Sequence, residues 1–397
     1  MPHGVLTFIK GVLFLIFMLA GVTSSAGEQT GRIRARETGI VVGVMQPGTW
    51  NAITDVPGVT VGHTTIIRGT DVRTGVTAIL PHSGNMYQEK VPAAIFVGNG
   101  YGKLAGYTQV EELGTIETPV VLTNTLSVGT VMTAVVRYTL SQPGNEDVRS
   151  VNAVVGETND GYLNDIRGMH VTEKDVLDAL AGAKSGPVEE GSVGAGTGTR
   201  AFAFKGGIGT SSRLVEVEDD RKYTVGVLVQ TNYGGILDIN GVPFDREYRK
   251  QKNDTKVMKG DGGSCMIVVA TDAPLCIRNL KRLAKRAVLG LARTGSEMGN
   301  GSGDYVITFS TAYRIPHTGT KPLLIPQLIP DNAITPFFRA VVEATQEAVY
   351  NSMFMATTVE GYGGHVSMAI PIEDVISISK KYNMLDLQKK LGGSDPK

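Results

Sequence analysis

Cysteine is almost missing from this 397-residue chain: only Cys265 and Cys276 occur. Neither belongs to a CxxC pair, and two thiols alone make no zinc site. They leave two readings, a disulfide formed in an oxidising compartment or two buried thiols. Histidine is also scarce. The six are scattered, with no HxH and no HExxH, so a metal-dependent mechanism has no ligand set to rest on. No Gly-x-Ser-x-Gly elbow occurs either. Neither sign of charge is in excess, with 38 basic against 38 acidic side chains. That balance offers no attraction to nucleic acid or to an anionic membrane. Aromatic residues are few, and Trp50 is the only tryptophan.

Glycine is what the chain has in excess. There are 50, about 13% against a usual ~7%. They are spread through apolar segments, which reads as tight turns and closely packed backbones. Length alone admits two or three domains or one large α/β sandwich.

Residues 1–26 read as a secretory signal. Lys10 supplies positive charge, 11–22 (GVLFLIFMLAGV) the apolar run, and Ser24, Ser25 and Ala26 the small residues of a cleavage site. The run is shorter than the ~20 residues of a membrane span. Retention as a short anchor is the competing reading. Removal of the leader implies a periplasmic or secreted protein with 27–397 as its folded part.

From Trp50 onward, short apolar runs alternate with turn residues. Strands are expected at 59–61, 76–80, 93–97, 119–122, 151–156, 223–230, 266–270 and 305–310. Helical spacing predicts helices over 104–113, 124–138, 172–183, 274–292 and 332–355. Thr172 and Asp175 make a capping-box pattern. Residues 385–397 are polar and expected to fray. The stretch 191–199 (GSVGAGTGT) lacks the Gly-Lys-Ser/Thr ending of a phosphate loop and does not match GxGxxG. It reads as a turn where backbones pass closely. His63, beside a strand, reads as structural.

The most informative stretch is 260–265 (GDGGSC). It joins a charged run at 245–259, with almost nothing to bury, to the apolar 266–270. Ser264 therefore sits where an exposed loop enters a sheet. The glycines at 262 and 263 admit backbone conformations that other residues resist. One reading is a plain turn before a strand. The other is self-cleavage of the Gly263–Ser264 bond. A serine hydroxyl needs a base beside it, and a new N-terminus supplies one: an α-amine titrating near ~7.7–8.0. Cys265 is a competing nucleophile, less well placed after the glycine pair. Asn232 ends another strand before two glycines, where its amide is a candidate donor to an oxyanion. The alternative is an asparagine that caps its own turn. Ser302 and Asp304 flank a glycine just before the 305–310 strand, close enough together to polarise a neighbouring nucleophile. The polar loop after 151–156 carries Glu157, Asp160 and Tyr162, in a position common for functional side chains.

These pieces together resemble the serine aminopeptidases of the DmpA type (L-aminopeptidase/D-esterase) and the related β-peptidyl aminopeptidases. The matching segments are 51–63 (NAITDVPGVTVGH), 154–166 (VVGETNDGYLNDI), 191–199, 205–213 (KGGIGTSSR), 230–235 (QTNYGG), 260–264 and 293–311 (RTGSEMGNGSGDYVITFST). They span nearly the whole mature chain in family order. The resemblance implies a four-layer α-β-β-α sandwich similar to the N-terminal-nucleophile hydrolases, with different connectivity. It implies cleavage into 27–263 and 264–397, and an assembly of four cleaved protomers. It makes Ser264 the nucleophile, Ser302 and Asp304 its supporting pair, and Asn232 and Tyr162 the oxyanion donors. Glu157 or Asp160 would meet the ammonium of a peptide or amino-acid amide substrate, with Glu157 favoured. No cofactor, metal or nucleic acid is implied. Competing readings are an amidase acting on non-peptide amide oligomers, an acyltransferase, and an uncleaved secreted binding protein. The similarly folded ornithine acetyltransferases use threonine at the cut, which argues against acyl transfer.

Overall fold

The computed structural model of the protein describes residues 31–217, 221–253, 263–319 and 321–390. The leader expected at 1–26 and the glycines at 260 and 262 lie outside the described residues. The strands begin with a hairpin of β1 (Thr60–Arg68) and β2 (Val72–Leu80), paired from Thr60↔Leu80 to Arg68↔Val72. β3 (Glu89–Gly100) is longer than its apolar centre. Its ends are held by backbone pairing, Gly100 with Gly303 and Lys90 with Ile315, which hydropathy does not reveal. The helix expected over 104–113 starts late. Gly106 takes φ +85°, which separates β4 (Leu104–Ala105) from α1 (Tyr107–Leu113). β5 (Thr115–Ile116) and β6 (Val120–Asn124) follow. The Asn124 side chain accepts the Ser127 N–H at 3.0 Å, closing a tight turn, so α2 runs only from Val128 to Leu140.

β7 (Val154–Thr158) also starts and ends later than expected. It pairs in parallel with β6 as far as Asn124↔Thr158, so Glu157 is a strand residue and not a loop residue. α3 (Glu173–Ala181) carries the expected capping box. The Thr172 N–H donates to Asp175 Oδ2 at 2.8 Å, and the Asp175 N–H donates to Thr172 Oγ1 at 3.4 Å. β8 (Arg200–Ala201) and β9 (Phe204–Lys205) form a small hairpin ahead of β10 (Ile208–Glu216) and β11 (Lys222–Tyr233). α4 (Phe244–Gln251) corrects the loop expected from residue 245 onward. Phe244 is wholly buried and anchors it. Asp245 pairs with Arg249 one turn on, at 2.8 Å. β12 (Gly263–Thr271), α5 (Ile277–Ala292), β13 (Ser302–Ser310), β14 (Ile315–Pro316) and α6 (Thr335–Phe354) complete the core.

The strands form two main sheets. One has the order β1-β2-β6-β7-β4; the other runs β10-β11-β12-β13-β3-β14, with β5 also on β3. Side-chain alternation along β12 shows how the layers stack. Cys265, Ile267 and Val269 pack with residues of α5 and α6 such as Leu280, Leu283 and Val341. Met266, Val268 and Ala270 pack with Ile79, Val120, Leu122 and Val154 of the other sheet. The outer face of that second sheet, with Val76, Ala78 and Val121, packs on Val131 and Val135 of α2 and Val176 of α3. The order is helix, sheet, sheet, helix. Strands buried on both faces read as unbroken apolar runs, and each wholly buried Val, Leu or Ile contributes about 1.5–3 kcal/mol. The glycine-rich stretch is a close crossing of backbones: a Cβ on Gly198 would lie 2.1 Å from the Arg73 carbonyl oxygen.

Candidate active site

Ser264 is the second residue of β12. Asn232 of β11 stands opposite it on one side and Gly303 of β13 on the other. The serine is 6% exposed. Its hydroxyl donates to the Gly263 carbonyl oxygen at 2.6 Å and accepts the Gly303 N–H at 3.3 Å. The hydroxyl thus lies against the carbonyl of the residue before it. A Cβ on Gly303 would sit 3.2 Å from Ser264 Oγ and 2.7 Å from Gly102 Cα. Glycine at 303 leaves the Ser264 hydroxyl its room. The Cys265 thiol points to the helix side of the sheet. Burial pushes it well above the ordinary thiol range, and the nearby Asp304 adds to this. A buried neutral thiol is a poor nucleophile, so it does not compete with Ser264.

The Asn232 amide is oriented at both ends. Its Oδ1 accepts the Arg200 N–H at 3.0 Å, and its Nδ2 donates to the Asn159 carbonyl at 2.9 Å. An amide nitrogen has two protons, so one remains for a ligand.

Ser302 pairs in register with Gly263, and Asp304 with Cys265. Alternation turns their side chains to the face carrying Cys265, behind the Ser264 hydroxyl. In register they stand opposite Gly263 and Cys265, the residues on either side of Ser264. Both are buried, and no hydrogen bond of good geometry reaches the Ser302 hydroxyl or either Asp304 oxygen, although the Ser302 hydroxyl and the Cys265 N–H lie near enough to act on the carboxyl. Burial pushes the Asp304 carboxyl up to about 6, against the pull of the nearby Ser302 hydroxyl and Cys265 backbone. A small open pocket lined by Tyr233, Gly234, Ser296 and Met298 reaches Ser302. Buried polar groups without partners are costly, which marks this as a place suited to one more donor.

Glu157 reaches the site from the other sheet. Its Oε1 accepts the Lys103 N–H at 2.8 Å, and its Oε2 accepts the Thr125 hydroxyl. A Cβ on Gly102 would lie 2.9 Å from Glu157 Oε1 and 3.1 Å from Gly303 Cα. Glu157, Gly102, Gly303 and Ser264 are therefore consecutive neighbours. Asp160 is differently used. Its carboxylate accepts Asn164 Nδ2 at 3.0 Å, and burial pushes it up to about 7, opposed by hydrogen bonds from Thr74 and Asn164. It closes its own loop. Tyr162 is 39% exposed, with the Arg200 guanidinium 3.8 Å from its ring centre. His63 is half-buried, with Nδ1 2.9 Å from the Thr77 hydroxyl, and is pushed down to about 4 by desolvation and Lys184. Sequence reasoning missed Gly102, Gly303, Lys103 and Arg200. Glycines and backbone N–H groups gain a role only through what folds next to them. Among the described residues, no group of three or more His, Cys, Asp or Glu could hold a metal ion.

Residues 51–367 match the model of peptidase family S58. The β-peptidyl aminopeptidase BapA of Sphingosinicella microcystinivorans is 40% identical over 398 residues, covering 94% of this chain and 97% of that one. The PH0078 protein of Pyrococcus horikoshii OT3 superimposes with a TM-score of 0.82 at 50% identity, over 88% of this chain and 99% of its own. The L-aminopeptidase D-Ala-esterase/amidase of Ochrobactrum anthropi, a prototype for the serine aminopeptidases and a variant of the Ntn hydrolase fold, gives a TM-score of 0.82 at 39% identity. It is covered over 99% of its length and this chain over 89%. With this sandwich, this site and matches along nearly its full length, the chain belongs to peptidase family S58.

Proposed function

We propose that the protein is a self-processing serine aminopeptidase that releases the N-terminal residue from peptides, amides or esters. The observation that carries this reading is the row Asn232, Ser264, Gly303 across three adjacent strands, with the Glu157 carboxylate facing it. In the first stage the Ser264 hydroxyl attacks the Gly263 carbonyl carbon. The C–N bond breaks, the nitrogen leaves as the Ser264 amine, and an ester joins Gly263 to Oγ. Water opens the ester and gives Gly263 a carboxylate. In the second stage that amine takes the Oγ proton as Oγ attacks the carbonyl of a substrate's first residue. The same proton passes to the leaving nitrogen, and water then releases the amino acid from the acyl-enzyme.

Asn232 Nδ2 and the Tyr162 hydroxyl donate to the tetrahedral oxyanion. Ser302 and Asp304 hold the freed amine from behind; a carboxyl titrating near 6 is largely ionised at neutral pH. Glu157 receives the substrate ammonium. Asp160 is the weaker candidate because Asn164 and its own turn already occupy it. The leader at 1–26 supports a periplasmic or secreted location, and the family resemblance supports four cleaved protomers.

The test is the intact mass of the purified protein under denaturing conditions. Two fragments meeting at Gly263 and Ser264 are expected, and Ser264→Ala should remain one chain and turn over no amino-acid p-nitroanilide. A wild-type chain that stays single removes the free amine from the mechanism and favours an uncleaved binding protein.

A further inference from the structure

The β8–β9 hairpin is built against local preference. Its two turn residues, Phe202 and Ala203, have φ values of 50° and 68°. A two-residue turn with both φ positive ordinarily takes Asn-Gly or Gly-Gly, because a Cβ is strained there. The surroundings force the conformation. The Phe202 N–H donates to the Tyr233 carbonyl at 2.9 Å, and the Phe202 ring meets Tyr233 edge-on at 5.1 Å. Lys205, wholly buried, donates through Nζ to the Gly196 and Gly206 carbonyls at 2.8 and 2.7 Å. Strain held so firmly near a site suggests a use for what the hairpin carries.

It carries Arg200. The Arg200 N–H fixes the Asn232 amide at 3.0 Å, and the guanidinium lies 3.8 Å from the Tyr162 ring centre. The Tyr162 ring also stacks on His365, at 4.4 Å and 10° between planes. Two groups this close to one ring centre would overlap on a single face, so they occupy opposite faces. His365 Nδ1 lies 2.9 Å from the Tyr162 carbonyl oxygen, tying the stack to the loop. Arg200 Nε is buried with no hydrogen-bond partner, so the Tyr162 ring face is its counterpart.

We propose that Arg200 is a positioning residue that holds the two oxyanion donors, Asn232 and Tyr162, on one support. This rests on the reading above, in which those two residues are the donors. The backbone N–H of Arg200 sets which end of the Asn232 amide faces Ser264. The guanidinium and His365 clamp the Tyr162 ring so that its hydroxyl is aimed before charge develops. Donors fixed in advance cost nothing to reorganise in the transition state.

The test is a double-mutant cycle on the purified enzyme, with an amino-acid p-nitroanilide as substrate. Arg200→Met keeps side-chain length and the backbone N–H but loses the planar cation; Arg200→Lys restores charge without the plane. Arg200→Met is expected to lower kcat roughly tenfold, less than the ~10²-fold that a 1 Å misplacement of a reacting group can cost, with KM within about twofold. Arg200→Lys should recover part of the loss. In a Tyr162→Phe background, Arg200→Met should cost less than about twofold more. An unchanged kcat, a change in KM alone, or a loss that multiplies fully with Tyr162→Phe overturns the proposal. If Tyr162→Phe itself leaves kcat intact, the donor assignment has failed and Arg200 falls with it. If Tyr162→Phe is slow and Arg200→Met is silent, Arg200 alone has failed. Melting temperature and the fraction of cut chain identify a variant that misfolds. Should Arg200→Met be such a variant, Arg200→Lys carries the same cycle.

Discussion

Ser264 owes its surroundings to residues with no reactive group. Gly303 beside it and Gly102 beyond leave the space between hydroxyl and Glu157 open. Gly303→Ala would bring a methyl within 2.7 Å of Gly102 Cα, closer than packed atoms tolerate, so backbone must move beside Ser264. We expect little uncut chain to mature and activity to fall at least a hundredfold, in line with the cost of small displacements at a reacting centre. Normal fragments and normal turnover in this variant would sink the close-contact geometry. For Asn232→Ala the expected loss is about 10²–10³ in kcat, the usual cost of one oxyanion donor, measured on the protein that has still been cut. Activity within a few-fold of wild type would remove Asn232 from the site. At this scale the sequence supplied the reactive side chains. It did not supply the glycines, because closeness to a partner far along the chain is invisible in one dimension.

At the scale of elements, the apolar runs announced where strands lie but not how far they reach. β7 extends to Thr158 because β6 offers it backbone partners, and that extension puts Glu157 in the sheet. α4 forms within a charged run because it is tied down on one side: Phe244 is buried with Tyr248 stacked on it, Asp245 pairs with Arg249, and Glu247 pairs with Lys381. The β8–β9 hairpin is the clearest departure, since Phe-Ala is a poor sequence for its turn. Ala203→Gly should relieve a penalty of roughly 1–2 kcal/mol and return about 0.5–1 kcal/mol through the freer unfolded chain. The net is a small stabilisation, a rise in melting temperature of about 1–2 °C. A fall would mean that the Ala203 methyl contributes packing that outweighs its strain.

At the scale of the whole molecule, an ionic network fastens the N-terminal segment to α6. Arg213, wholly buried, donates to Glu347 Oε2 at 2.6 Å and Glu343 Oε2 at 3.3 Å. Arg36 and Asn51 also reach Glu347, at 2.8 and 2.6 Å. Burial alone would raise the Glu347 carboxyl; the Arg213 and Arg36 guanidiniums, with the Arg36 and Asn51 hydrogen bonds, outweigh it and hold it at about 2. The unfolded chain would titrate that group near 4.5. Between these values the unfolded state binds the proton and the folded state does not. The stabilisation is therefore full above pH 4.5 and lost as pH falls toward 2. Glu347→Gln should cost roughly 3 kcal/mol at neutral pH and flatten the acid limb of a plot of stability against pH. An acid limb unchanged in slope would show that other carboxylates govern it.

The sequence by itself determined the α/β class, the serine at a glycine-flanked strand entrance, and the side chains able to act with it. Those follow from local chemistry: alternation, turn residues, and which groups can attack, donate or ionise. Tertiary structure alone decided which of those side chains meet. It set Glu157 against Gly102 and Gly303, next to Ser264, and occupied Asp160 with Asn164. It turned Ser302 and Asp304 to the back of the Ser264 strand through the parallel register of β12 and β13. It brought in Arg200 through a strained turn. Pairing register and sheet stacking depend on contacts between residues far apart in the chain, and those are fixed only when the layers close.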